Sequence, residues 1–260
     1  KMEPIELVAH RGNALEFPEN TLPAFESAAG LGCRWLECDV QLAADRTPYV
    51  VHDAELQRVA GVAVNVLQST AAALDTVEPI EPERFGQRFA GTRMPRLAAL
   101  ADWLRARAGL QMFVELKRAS LLHHGRQTCL DAVDEALGSV RDRCILISFD
   151  LDVLPLARQR GHRIGWVLPR YDDTVLAALA ALRPEFAFCD HTRLPPSGPL
   201  PASCGDWVVY EVRSAGLARD HEGQVGRHQA RQRPVDLLHG RRTADQRQAL
   251  ALLGRLRRAR

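Results

Sequence analysis

No stretch of this 260-residue chain stays apolar for the roughly 18 residues that a membrane span needs. The N-terminus also lacks the charged segment, apolar segment and cleavage site of a secretory leader, so the expected location is the cytoplasm. Excess charge of either sign is missing: 34 Lys and Arg against 32 Asp and Glu leave a formal net charge of +2. That balance excludes, for the chain as a whole, a nucleic-acid binder and an acidic disordered tail. The six cysteines, at positions 33, 38, 129, 144, 189 and 204, never form the tight pairs of structural zinc. They sit in or beside apolar runs, which makes buried, reduced thiols the expected state. Internal repeats and Gly/Ser linkers are absent too, so residues 1–260 read as one domain.

What is present is alternation. Seven short runs rich in β-branched residues, IELVAH (5–10), WLECDV (35–40), MFVELK (112–117), CILISF (144–149), RIGWVL (163–168), FAFCDH (186–191) and WVVYEV (207–212), are separated by segments with helical periodicity. Pro near the helix starts and Gly or Pro at the stops punctuate repeated βα units. An extra strand, TPYVVHD (47–53), follows the second run after only six residues, QLAADR. A parallel crossover needs a dozen or more, so these two strands must form an antiparallel hairpin. The fold expected is a TIM (β/α)8 barrel with a hairpin-containing insertion after the second strand, over about residues 41–95. The only candidate for the eighth strand is the weak run PVDLLHG, 234–240.

In such a barrel the carboxyl ends of the strands face a shared mouth, so polar residues ending apolar strands are the candidates for chemistry. The first strand ends in His10 and Arg11. The second carries Glu37 and Asp39, the next parallel strand Glu115 and Lys117, each pair at a spacing of two that shares one face. The hairpin returns with His52 and Asp53, which cross-strand pairing brings level with Asp39. Burying such charges unpaired costs several kcal/mol each. A hard divalent cation, Mg²⁺ or Ca²⁺, held by carboxylate oxygens and water removes the difficulty, whereas no thiolate or compact His set argues for zinc. Arg11 suits a phosphate by its planar fork and Lys117 as a mobile point charge. His10 and His52 supply a general acid and a general base. The reaction implied is metal-assisted cleavage of a phosphate ester.

Each element alone has a structural explanation, such as a solvated rim for the HR pair. Four strand ends with compatible groups are hard to explain that way. Asn20 and Thr21, before Pro23 and the apolar Leu22 and Phe25, read as a helix N-cap. Glu19 fits either a loop anchor or the site, and His123 and His124 fit a helix surface.

Together, VAHRGNALEFPENTLPAFESAAGLG, WLECDVQLAADRTPYVVHDAELQRVAG and MFVELK resemble the glycerophosphodiester phosphodiesterase family, cytoplasmic bacterial type, over about residues 5–117 and more loosely through WVVYEV. The resemblance implies a TIM barrel with an insertion after the second strand. It also implies hydrolysis of a small-molecule glycerophosphodiester to sn-glycerol 3-phosphate and an alcohol. Glu37, Asp39 and Glu115 would bind the metal, Arg11 and Lys117 the phosphate, and His10 and His52 would exchange protons. Attack by the glycerol hydroxyl through a cyclic phosphate and direct attack by water are both compatible with these residues. The FGQRFAGTRMP segment is expected to cap the mouth. Two other readings stay open: a lysophospholipase D-like lipid phosphodiesterase and a non-catalytic binding scaffold.

Residues 221–260 depart from the family pattern, with ten arginines among forty residues and poor apolar periodicity until ALALLGRL. A divergent eighth strand at 235–238, a disordered basic tail and a reading-frame error each account for that composition.

Overall fold

The structure, a computed structural model, describes residues 6–197, residues 199–212 and the backbone of residues 250–255. Among the described residues nine strands form one sheet: β1 (Glu6–His10), β2 (Trp35–Leu42), β3 (Pro48–Val50), β4 (Gln111–Leu116), β5 (Cys144–Ser148), β6 (Arg163–Val167), β7 (Phe186–Asp190), β8 (Asp206–Val212) and β9 (Leu250–Arg255). β1, β2, β4, β5, β6, β7 and β8 pair in that order and in parallel. They are the seven strands that the sequence alternation predicts, each within two residues at its ends. β9 lies antiparallel between β8 and β1 and closes the ring. The closing strand is therefore the apolar run that follows the Arg-rich segment. The expected candidate at 234–240, like most of the tail, lies outside the described residues.

The period-two pattern divides each strand between two cores. Trp35, Phe113, Ile145, Ile147, Phe186 and Phe188 fill the barrel interior with Val8, Val167 and Val208. Leu36, Cys38, Val40, Met112, Val114 and Leu146 face outward and pack with helix residues such as Phe25, Leu100, Leu130 and Leu154. β2 is buried along its whole length, as a strand covered on both faces must be. Inward positions turn polar toward the carboxyl ends: along β2 Trp35 gives way to Glu37 and Asp39, and along β4 Phe113 gives way to Glu115. The six cysteines carry no disulfide, four of them being buried and Cys33 and Cys204 half-buried.

The predicted hairpin is there. β1 occupies one edge of β2 as far as the His10–Glu37 pair, and β3 takes β2 from Val40 to Leu42 in antiparallel register. The insertion that follows has an apolar cluster of its own, including Tyr49, Leu56, Val66, Leu74 and Met94. Its later part packs on the loop that follows β1. Phe89 lies 5.4 Å from Phe17, and Arg84 donates to the carbonyl of Ala14 at 2.6 Å. Among the described residues, no helix is long and apolar enough to cross a membrane.

Candidate active site

β1 delivers His10 to the carboxyl end of the barrel, and the backbone then turns sharply. Arg11 is left-handed at φ 58°, and its amide donates both to the Glu37 carbonyl and to Glu37 Oε2, each at 3.0 Å. Gly12 follows at φ 80°, where a Cβ would sit 2.7 Å from the backbone of Ala24. Glycine is needed there both for the left-handed backbone and for the close approach of the first helix. That helix, Leu22–Gly30, is capped by Thr21, whose Oγ1 accepts from the Ala24 amide, as predicted. Asn20 corrects the prediction. It is buried with φ 59°, and its side chain bonds Asp39 instead of capping the helix. A long-range pair with a buried carboxylate outweighs a local cap that Thr21 already provides.

β2 and β4 present the carboxylates. Glu37, Asp39 and Glu115 are buried, and each offers an oxygen within 4.8 Å of the others. Lys117 Nζ donates to Glu115 Oε1 at 2.8 Å and lies 3.2 Å from Asp39 Oδ1. Arg11 Nε lies 3.0 Å from Asp39 Oδ2, and Arg11 Nη1 donates to Glu19 Oε1 at 3.1 Å. Glu19 thus belongs to the site rather than to a remote loop. The planar fork that suits Arg11 to a phosphate thus has two of its donors facing carboxylates. On the hairpin, His52 Nδ1 lies 2.6 Å from Asp53 Oδ1, and the Val51 amide donates to the Asp39 carbonyl, which sets the histidine level with the acidic cluster.

A cavity of about 150 Å³ opens among these groups. His10, Arg11, Glu37, His52, Glu115 and Lys117 line its polar side, and Phe149, Phe188 and Tyr210 are part of the rest. All seven sequence-predicted residues therefore gather at one rim, with Asp39 behind the lining as the partner of Arg11 and Lys117. Arg58, which carried no local signal, is also present: it donates to both Asp53 and Glu19.

The charges are strongly perturbed. Burial, then Asp39 and Glu115, push Glu37 well above the usual carboxylate range, and burial and Asp39 raise Glu115. Burial also works to raise Asp39, but Arg11 and then Lys117 hold it far below that range. Burial and the neighbouring Arg11 lower His10 to about 4, so its ring is neutral at pH 7. Glu37 Oε1 is buried without a hydrogen-bond partner. An orphaned oxygen beside two other carboxylates fits a hard divalent cation, which would satisfy the oxygen and relieve the repulsion.

Fold and site define a (β/α)8-type barrel with an acidic, cation-flanked cluster at its mouth. The sequence model of the glycerophosphoryl diester phosphodiesterase family matches residues 10–183. The chain belongs to that family. It is 31% identical over 146 residues to the glycerophosphodiester phosphodiesterase of Caldanaerobacter subterraneus subsp. tengcongensis, a match covering 55% of this chain and 58% of the relative. The chain thus spans less than two thirds of that relative's length. Among solved structures it is similar to a glycerophosphodiester phosphodiesterase from Agrobacterium tumefaciens (TM-score 0.58, 25% identity, 72% of this chain and 77% of that one). It also shares its fold with an Oleispira antarctica phosphodiesterase solved with the product sn-glycerol-3-phosphate (TM-score 0.64, 22% identity, 73% and 76%).

Proposed function

We propose that this chain is a metal-dependent glycerophosphodiester phosphodiesterase that releases sn-glycerol 3-phosphate and an alcohol, with residues 1–260 acting as one phosphodiesterase domain. The observation that carries the reading is the convergence of Glu37, Asp39 and Glu115 within 4.8 Å of one another, the two glutamates lining a cavity with His10, His52, Arg11 and Lys117 and Asp39 behind it. The three carboxylates would hold a divalent cation of the Mg²⁺ or Ca²⁺ type, which when bound draws charge from a phosphoryl oxygen.

The chain's own groups do the rest. Lys117 and the outer part of the Arg11 guanidinium bind the phosphate oxygens beside the cluster. Asp53 accepts a hydrogen bond from His52 Nδ1–H, so the proton stays on Nδ1 and Nε2 keeps a lone pair to take a proton from the attacking oxygen. As the bond from phosphorus to that oxygen forms, the bond to the alcohol oxygen breaks; His10, neutral in the free site, takes up a proton once the anionic phosphate is bound beside it and passes that proton to the departing alcohol. The family match and the product-bound relative support this substrate class.

The direct test is release of glycerol 3-phosphate from glycerophosphocholine with Mg²⁺ or Ca²⁺ present. Turnover is expected to vanish with a chelator and to fall by about 10²–10⁴-fold in His52→Ala, the range for a lost acid–base group. Unchanged turnover in both arms would sink the proposal.

A further inference from the structure

Arg58 lies in the one-turn helix Gln57–Ala60 of the insertion, outside the strands that build the acidic cluster. Its guanidinium nevertheless joins two parts of the cavity wall. Nε donates to Asp53 Oδ2 at 2.6 Å, Nη1 donates to Glu19 Oε2 at 3.1 Å, and Nη2 donates to Glu19 Oε1 at 2.6 Å. Asp53 turns its other oxygen to His52 Nδ1 at 2.6 Å. Glu19 Oε1 also accepts from Arg11 Nη1 at 3.1 Å, and Arg11 Nε faces Asp39. The result is an alternating line, His52, Asp53, Arg58, Glu19, Arg11 and Asp39, that runs from the hairpin to the first loop. The far anchor is firm: the Glu19 amide donates at 2.6 Å to Glu81, a buried residue held at φ 46°.

Only a planar fork can serve two carboxylates in this way. A lysine would keep the charge but could not supply three donors in one plane. A carboxylate next to a ring nitrogen also selects a tautomer, because Asp53 accepts only if Nδ1 carries the proton. Asp53 is a quarter exposed and next to solvent, so its rotamer depends on the group that holds its second oxygen.

We propose that Arg58 is a positioning residue: by clamping Asp53 against Glu19 it holds the His52 ring with Nδ1 protonated and Nε2 left to the substrate, in fixed register with Arg11. The catalytic part of this inference rests on the proposed phosphodiester cleavage, while the ring geometry does not. The Arg58 side chain is 47% exposed, and the largely buried Glu19 carboxylate keeps Arg11 Nη1 as a partner when Arg58 is removed, so the fold loses little. A purely structural role and a positioning role therefore predict different outcomes.

The test uses the full chain with Mg²⁺, in wild type, Arg58→Gln, Arg58→Lys and Asp53→Asn. In Arg58→Gln, kcat for glycerophosphocholine is expected to fall about 10–100-fold, the usual effect of losing a group that orients a ligand or base. KM and Tm should stay close to wild type. Arg58→Lys should recover only a minor part of the loss. A double variant carrying Asp53→Asn and Arg58→Gln should lose little beyond Asp53→Asn alone, because both changes break one line of contacts. In parallel, ¹⁵N spectra of histidine-labelled protein should show a single Nδ1–H tautomer for His52 in wild type and a mixture in Arg58→Gln. Wild-type kcat in Arg58→Gln, additive losses in the double variant, or an unchanged His52 tautomer would each overturn the inference. If the wild type cleaves no glycerophosphodiester while the tautomer still shifts, the substrate reading fails and the positioning of His52 by Arg58 is upheld.

Discussion

Asn20 and Asp39 bond each other twice: Asn20 Nδ2 donates to Asp39 Oδ2 at 2.9 Å, and the Asp39 amide donates to Asn20 Oδ1 at 3.2 Å. The loop after β1 is thereby fastened to the middle of β2. A fully buried aspartate keeps one oxygen bonded to a neutral donor while Arg11 and Lys117 supply the opposing charge.

That pairing is tested by comparing Asn20→Gly with Asn20→Ala. Both remove the two bonds, at about 1–3 kcal/mol for the buried groups left unsatisfied. Alanine adds the strain of a left-handed backbone at φ 59°, of order 1 kcal/mol more. Denaturant unfolding should thus rank wild type above Asn20→Gly, and Asn20→Gly above Asn20→Ala. Equal stability of all three would show that the pairing contributes nothing.

Removing one negative charge from the acidic cluster should have opposite effects without and with metal. Glu37→Gln relieves the repulsion from Asp39 and Glu115, so the metal-free protein should melt at the same temperature as wild type or higher. The upward shift in Tm that added Mg²⁺ or Ca²⁺ gives wild type should shrink, because a cation that binds only the folded state stabilises it in proportion to its affinity. Thermal melts with and without each ion are the measurement. An ion-induced shift of wild-type size in the variant would exclude Glu37 as a ligand.

Acid sensitivity should trace partly to Asp150. Its carboxylate accepts from Arg126 at 2.8 Å through both oxygens and from the Val153 amide at 2.9 Å. Burial works to raise its pKa, but the Arg126 bond, followed by the Val153 amide, holds it below the ordinary value. A depressed carboxylate stabilises the fold above the unfolded pKa of about 3.9, and that contribution is lost as the pH falls through the folded value. Asp150→Asn should therefore cost about 1–3 kcal/mol at pH 7 and flatten the stability profile below pH 4. Urea unfolding across pH 3–7 reads both effects.

Phe113 belongs to the aromatic cluster inside the barrel. Fully buried, it lies 5.2 Å from Trp35 and 5.0 Å from both Phe186 and Phe188, ring centre to ring centre. Phe113→Ala should cost about 3–5 kcal/mol, the usual range for emptying an aromatic site in a core. Glu115, two residues along the same face, lies above it. Turnover per folded molecule should drop less than stability does, as an activity titration against the folded fraction would show.

The seven parallel strands were legible because each carries its own short apolar run between turn signals and helical periodicity. Glu37, Asp39, Glu115 and Lys117 were legible because a spacing of two assigns each pair to one face whatever the rest of the chain does, and His10 because it ends an apolar strand. The hairpin followed from a connection too short for a crossover. Asn20 was misread because its local signal, a polar residue before a helix, is the same for a cap and for a partner of Asp39. The closing strand at 250–255 had only a short apolar run to announce it, and its antiparallel direction had no signal at all.

By itself, then, the sequence determined which side chains lie on the inner face of each strand and which chemical types they bring, since backbone alternation is a property of a few consecutive residues. Only the tertiary structure decided that Arg58 reaches Glu19 across 39 positions and thereby joins His52 to Arg11. Contacts of that kind depend on how the ring closes and where the insertion comes to rest. No periodicity along the chain encodes either.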